Sequence, residues 1–259
     1  MRVVVLTCGD LGVEVGSRLR ALPSVERVLV LHAPFLRRRP TGLKRWRHLY
    51  RMNGPWDLAK AIVTKPFRRR AVAPPAAALE APADVELEFV AGFHTSECDA
   101  RLRAFAPDLG VIAGTYILKP QIFELPRLGS INLHSGKTPE YRGAAPAFWE
   151  LYNGESEVGI TIHQVVADVD AGAVYRQETF PLERAPAGDP MTYLKEYRTT
   201  ILRPNGVRML VETVADIAAG RAAPVSQDQR AARVYHSPTY ADVRELRRRV
   251  AARRKGRSP

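Results

Sequence analysis

Short apolar runs, unbroken by polar residues, constrain this chain more than anything else in it. Residues 2–8 read Arg-Val-Val-Val-Leu-Thr-Cys, and residues 27–32 read Arg-Val-Leu-Val-Leu-His. Neither alternates, so each suits a strand buried on both faces. Between them lie a turn, Gly9-Asp10-Leu11-Gly12, and a helical pattern over 13–22. Strand, turn, helix, strand implies a right-handed crossover and a parallel sheet. The rhythm resumes with strands over 85–90, 108–113 and 130–134, separated by helices over 96–105 and near 120–125. A helix over 144–152 precedes two alternating stretches, 159–166 and 173–180. The turn 167–172 joins these two into a hairpin. A long helix follows over 191–219, and a loop and a basic helix after Arg230 read as a frayed tail. The expected class is α/β: an open, mostly parallel twisted sheet with helices on both faces and a small C-terminal helical extension. Residues 1–184 form the expected main domain and 185–259 the extension.

One segment, 35–84, interrupts the pattern. It places Trp46, Tyr50, Trp56 and Phe67 among basic residues and ends in the linker-like Pro74-Pro75-Ala76-Ala77-Ala78. The formal net charge is +12. Residues 35–70 carry +11 of it and residues 244–259 carry +7, so the remainder is at −6. A uniformly basic groove for nucleic acid is therefore not described. The segment 35–70 reads as a solvated lid, or as a contact to RNA, a membrane surface or an anionic substrate. Apolar residues make up 46% of 259, enough for a sizeable core. No apolar run approaches the ~20 residues that span a bilayer. The N-terminus enters the first strand without a secretory pattern, so a cytoplasmic protein is expected. Cys8 and Cys98 alone do not suggest a disulfide framework.

The chemistry concentrates in Ile131-Asn132-Leu133-His134. In a strand, residues i and i+2 share a face, so Asn132 and His134 project together. They lie toward the carboxyl end, where open α/β sheets place ligands. Such a pair can donate hydrogen bonds to an oxygen that gains negative charge, as acyl transfer to an amine requires. The hairpin turn adds Asp168 and Asp170 in Ala-Asp-Val-Asp-Ala-Gly. A carboxylate near His134 would favour its protonated form, or accept a proton from an attacking amine. Both acids equally suit a tight turn. His163 reads as a packed, hydrogen-bonded histidine. No His, Asp and Cys positions show metal-ligand spacing, so no metal is expected. Gly9-Asp10-Leu11-Gly12 is a plain turn, or a phosphate cradle at a helix start.

Several of these runs occur in one order. They are Ile131–His134, Thr138-Pro139-Glu140-Tyr141-Arg142-Gly143-Ala144-Ala145-Pro146, Gly159-Ile160-Thr161-Ile162-His163 and Asp168-Val169-Asp170-Ala171-Gly172. Together they resemble the folate-dependent formyltransferase family, well over residues 85–182 and more weakly at the first strand and turn. The resemblance implies a Rossmann-like fold and transfer of a formyl group from 10-formyltetrahydrofolate to an amine. It implies Asn132, His134 and Asp170 as the catalytic set. It places the pteridine pocket at Tyr116, Ile117 and Leu118 and at Val166, Asp168 and Val169. His163 matches a position that some members fill with His behind the active site. Gly9, Asp10, Lys137, Tyr141 and Arg142 are candidates for the acceptor. The family often has Pro-Ser-Leu-Leu-Pro after the His. This chain has Ser135-Gly136-Lys137-Thr138-Pro139, which sets Lys137 beside the site.

A small acceptor such as a sugar-nucleotide amine is expected, by elimination. Methionyl-tRNA formyltransferases carry a further C-terminal domain, and about 75 residues follow Glu183 here. Glycinamide ribonucleotide formyltransferases lack an insertion like 35–84. A 10-formyltetrahydrofolate hydrolase would use the same cosubstrate but usually carries a domain in front. Nucleic acid is the less favoured partner, and a non-catalytic nucleic-acid or membrane-binding protein is the remaining alternative. A homodimer through the long helix is compatible with the sequence, which does not require one.

Overall fold

The computed structural model describes residues 1–35, 47, 50–52, 54, 55 and 79–256. The expected linker 74–78 and most of the basic aromatic segment, with Trp46, Trp56 and Phe67, lie outside the described residues. Seven strands form one sheet: β1 (Arg2–Thr7), β2 (Arg27–His32), β3 (Glu86–Phe89), β4 (Leu109–Ala113), β5 (Ser130–His134), β7 (Glu157–Gln164) and β8 (Val174–Pro181). The order is β3-β2-β1-β4-β5-β7-β8. The first five strands are parallel; β7 runs antiparallel to β5, and β8 to β7. The chain therefore reverses direction across the sheet between β1 and β4, the place where such sheets open a crevice. Cys8 N–H donates to the Gly114 carbonyl there, at 3.2 Å.

Two apolar cores lie on opposite faces. Strand residues of one parity, such as Val3, Val5, Val111, Ile131, Ile160 and Ile162, pack with α1 (Leu11–Arg20) and α6 (Arg203–Ala218). Gly12 sits so close to Thr7 that a Cβ would overlap its side chain, which sets α1 tightly on the sheet. Residues of the other parity, such as Val4, Leu6, Leu31 and Ile112, pack with α2 (Ser96–Phe105) and α3 (Pro120–Phe123). Asn132 and His134 share this second face, because Asn132 is in register with Ile112. Here the side-chain alternation exposes polar groups to a loop rather than to a helix.

The expected long helix is α5 (Pro190–Tyr197), a π turn (Arg198–Leu202) and α6 in continuous succession. Its Leu194, Met209 and Leu210 enter the same core as the sheet. The basic helix, α7 (Tyr240–Arg254), is not frayed. Thr239 and Asp242 form a capping box at its start, and Leu246 and Val250 are buried. Arg253 donates to the carbonyls of Leu151 and Tyr152 at 2.7 and 2.9 Å. Those carbonyls end α4 (Phe148–Asn153), where the helix dipole favours a cation. Arg247 pairs with Asp189, and Arg248 and Arg249 with Glu245. The Glu245 pairs lie within the helix, whereas Arg247, Arg249, Arg253 and Arg254 reach groups outside it and clip the tail down. A two-residue strand, β6 (Arg142–Gly143), pairs with β9 (Val234–Tyr235), which no sequence pattern announces. Among the described residues, no helix is long and apolar enough to cross a membrane.

Candidate active site

Strand β5 aims Asn132 and His134 at one face, and the antiparallel register sets His163 of β7 directly opposite Asn132. The turn after β7 returns over these three side chains and delivers Asp170. Asp170 adopts φ +48°, a left-handed conformation that Asp tolerates better than most residues. Gln227 holds the turn by donating to the carbonyls of Asp170 and Gly172 at 3.1 and 2.6 Å. A Cβ at Gly172 would run into the Gln164 carbonyl, so the turn closes only with glycine there.

The Asp170 carboxylate becomes the centre of the cluster. One oxygen, Oδ1, lies 3.3 Å from Asn132 Nδ2 and 3.3 Å from His163 Nε2. The other, Oδ2, accepts the Gly143 N–H at 2.8 Å and lies 3.3 Å from His134 Nδ1. Burial acts to raise its pKa and is the largest single influence. The His163 hydrogen bond, the His134 ring and the Gly143 N–H together outweigh it and hold the carboxyl at about 2.

The two imidazoles are tethered alike. His134 Nε2–H donates to the Tyr141 carbonyl at 2.7 Å, and His163 Nδ1–H to the Gln164 carbonyl at 2.7 Å. A carbonyl only accepts, so each tether fixes which nitrogen carries a proton. The remaining nitrogens, His134 Nδ1 and His163 Nε2, both turn toward Asp170. Burial pulls the His134 pKa down, and the Asp170 charge opposes that without reversing it. The expected gain in His134 basicity from a neighbouring carboxylate is therefore overridden by desolvation. One nitrogen of each ring thus faces the carboxylate, whose charge would stabilise a proton carried there.

The other expected site residues are distributed more widely. Leu118 is buried in the second core, and Tyr116 packs against that core with its hydroxyl accepting the Phe93 N–H at 2.7 Å. Ile117, Val166 and Val169 are exposed apolar side chains, and Asp168 is exposed beside them. Gly114, at φ +72°, has open space where a Cβ would stand.

Gly9 N–H is taken by the Thr7 hydroxyl at 3.2 Å. Asp10 and Glu14 both pair with Arg203, at 2.8 and 2.7 Å, so the start of α1 is flanked by carboxylates. Arg142 is buried on Gln227 and Gln229, at 3.1 and 2.8 Å. Lys137 and Tyr141 instead line a cavity of about 390 Å³ beside the cluster. His163, read from sequence as a packed histidine, is part of the carboxylate cluster. The family resemblance sets a His behind the active site at this position; the β5–β7 pairing that brings its ring to Asp170 is non-local. Gly143 N–H, the Tyr141 carbonyl and Gln227 are backbone or remote contributions of the same kind. Among the described residues, no group of three or more His, Cys, Asp or Glu could hold a metal ion.

An open α/β sheet with a buried carboxylate flanked by an amide and two imidazoles defines a site suited to group transfer with proton uptake. The chain belongs to the formyl transferase family, whose model matches residues 60–192. A methionyl-tRNA formyltransferase of Synechococcus sp. (strain JA-3-3Ab) is 36% identical over 130 residues, which is 50% of this chain and 38% of that protein. The chain thus matches well under half the length of that relative. Phosphoribosylglycinamide formyltransferase from Anaplasma phagocytophilum superposes with TM-score 0.57 at 17% identity, covering 85% of this chain and 88% of the other. HypX from Aquifex aeolicus in complex with tetrahydrofolic acid gives 0.52 at 15% identity, covering 92% and 29%. At these identities the two structures establish a shared fold.

Proposed function

We propose that this chain transfers a formyl group from 10-formyltetrahydrofolate to a primary amine on a small acceptor, such as a sugar-nucleotide amine. One observation carries the reading: Asn132, His134, His163 and the Gly143 N–H converge on the Asp170 carboxylate. The cosubstrate supplies an activated formyl carbon. The attacking amine must lose a proton as its bond to that carbon forms. Asp170 and the imidazoles beside it form the acceptor for that proton, directly or through water. Asn132, at the edge of the cluster, is the donor for the oxygen on which negative charge grows. The exposed Ile117, Val166 and Val169, with Tyr116, Leu118 and Asp168, are the residues assigned to the pteridine end. In this reading residues 1–184 are the catalytic unit, and 185–259 are the extension packed on it.

A second reading, formylation of methionyl-tRNA, draws on the name that the curated relatives carry. A single screen separates the two. Tetrahydrofolate release is followed with amino-sugar nucleotides, glycinamide ribonucleotide and charged initiator tRNA as acceptors. Turnover with a small amine and none with tRNA is the expected result. Turnover with tRNA alone would replace the first reading by the second. Free formate without any formylated acceptor would make the chain a hydrolase.

A further inference from the structure

Residues 221–236 link α6 to α7 and lie outside the stretch that the family model matches. They add little to the core. From Ala223 to Ala231 every residue but Gln227 is exposed, and Val225 and Val234 leave their side chains in solvent. Yet this segment is bonded to the surroundings of Asp170 at three points. Val225 exchanges two backbone hydrogen bonds with Val174, each of 2.8 Å, where the hairpin leaves the Asp170 turn. Gln227 reaches the turn itself. The carbonyls of Arg233 and Tyr235 accept the N–H groups of Arg142 and Ala144, at 3.0 and 2.9 Å, on either side of Gly143. A Cβ on Gly143 would overlap the Tyr235 carbonyl, so the two backbones are in contact there.

The Gln227 amide is engaged at both ends. Its Nε2 donates to the carbonyls of Asp170 and Gly172, and its Oε1 accepts from Arg142 at 3.1 Å. The opposite amide orientation would set an oxygen against two carbonyls and an NH₂ against a guanidinium, so these partners fix it. Arg142, itself buried, donates to Gln229 as well, at 2.8 Å. Within the turn, Ala171 N–H donates to the Asp168 carbonyl at 3.3 Å, which is a long bond. Asp170 also holds a left-handed φ of +48°, and a residue other than glycine keeps such a conformation only where its surroundings impose it. Gln227 supplies two of the bonds that do so.

We infer that residues 225–235 form a strap that positions Asp170 for formyl transfer, with Gln227 as a positioning residue. Gln227 acts through the backbone of Asp170 and Gly172, and so sets where the carboxylate stands against Asn132, His134 and His163. The strap holds both sides of the carboxylate: the turn through Gln227, and the Gly143 N–H that donates to it through β9. The extension after residue 184 therefore completes the site as well as packing on the catalytic unit. This assignment rests on the reading of Asp170 as the central carboxylate of an amine formyltransferase.

The test compares Gln227→Ala, Gln227→Glu and Gln229→Ala in the full chain. Gln227→Glu keeps the length and the contact with Arg142 but loses both amide N–H donors. Gln229→Ala loses a bond to Arg142 and none to the turn. Ring-nitrogen NMR needs no acceptor, since His134 Nδ1 and His163 Nε2 each lie 3.3 Å from the Asp170 carboxylate. Both Gln227 variants are expected to shift these two signals, and Gln229→Ala to leave them in place. Unmoved signals in a folded Gln227 variant, or an equal shift in Gln229→Ala, would overturn the assignment. Should Gln227→Ala not fold, Gln227→Glu carries the same readouts. With the acceptor that turns over in the screen above, kcat should fall by about 10–10² in the Gln227 variants, the scale of an ångström's misplacement, while KM for the formyl donor changes less than about twofold. In an Asp170→Asn background, Gln227→Ala should cost nothing further; equal losses in both backgrounds would mean that Gln227 does not act through Asp170. If Asp170→Asn lowers kcat and Gln227→Ala does not, the strap assignment fails while the reading of the site stands. If Asp170→Asn itself has no effect, the reading of the site fails first.

Discussion

Two buried carboxyl groups, Asp170 and Glu150, meet opposite electrostatic fates. Both pay for burial by desolvation, which by itself favours the neutral acid. Asp170 is surrounded by an amide, two imidazoles and a backbone N–H, and its pKa falls to about 2. Glu150 has an unpartnered oxygen and Glu155 nearby, while Arg198 offsets little, and its pKa rises to about 8. Burial alone therefore does not decide the charge of a carboxyl; the donors that the fold delivers decide it. A group held anionic suits stabilising positive charge beside it, on an imidazole or an attacking amine. A group left short of donors stays largely the neutral acid near neutral pH.

Removing the Asp170 charge should produce the largest effect. In Asp170→Asn, kcat for formyl transfer is expected to fall by about 10²–10⁴, the usual contribution of a positioned base, while folate-analogue binding persists. A drop below tenfold, measured by tetrahydrofolate release, would remove Asp170 from the reaction. Asn132→Ala comes next, with a loss of roughly 10²–10³ in kcat, as for other donors to a developing oxyanion. If the loss appeared only in KM, Asn132 would be a ground-state binding residue.

Stability effects are smaller and run in opposite directions. Glu150 has a folded pKa raised from 4.5 to about 8, so its stabilising contribution is complete below pH 4.5 and is lost as pH rises toward 8. Glu150→Gln should therefore raise Tm at pH 8, by about 2–4 °C for each kcal/mol recovered, and the gain should shrink toward pH 4.5. A gain independent of pH would mean that Glu150 is not strained by ionisation. Asp170 shows the reverse sign. Its depressed pKa contributes stability above pH 3.8 that disappears as pH falls toward about 2. The Tm difference between wild type and Asp170→Asn should narrow across that window, as read by thermal melts at successive pH values.

Much of the fold was legible because it rests on local patterns. The unbroken apolar runs at 2–8 and 27–32 became β1 and β2, and Ser96–Phe105 and Ser130–His134 appear as read. The turn at 167–172 does join an antiparallel pair. The face shared by Asn132 and His134 follows from strand periodicity alone. The fraying expected of the basic tail did not, since Arg253 finds its helix-ending carbonyls about a hundred residues back along the chain. The β6–β9 pair is only two residues long on each side, too short to leave any pattern.

The sequence by itself determined the parallel sheet, the hairpin and the polar pair on β5, because apolar period and turn chemistry act over a few residues. Only the tertiary structure decided which histidines meet Asp170, which nitrogen of each ring is tethered to a carbonyl, and that one Glu150 oxygen is left without a donor. Those outcomes depend on pairings between segments far apart in the chain and on burial, and neither quantity is written in any short stretch of sequence.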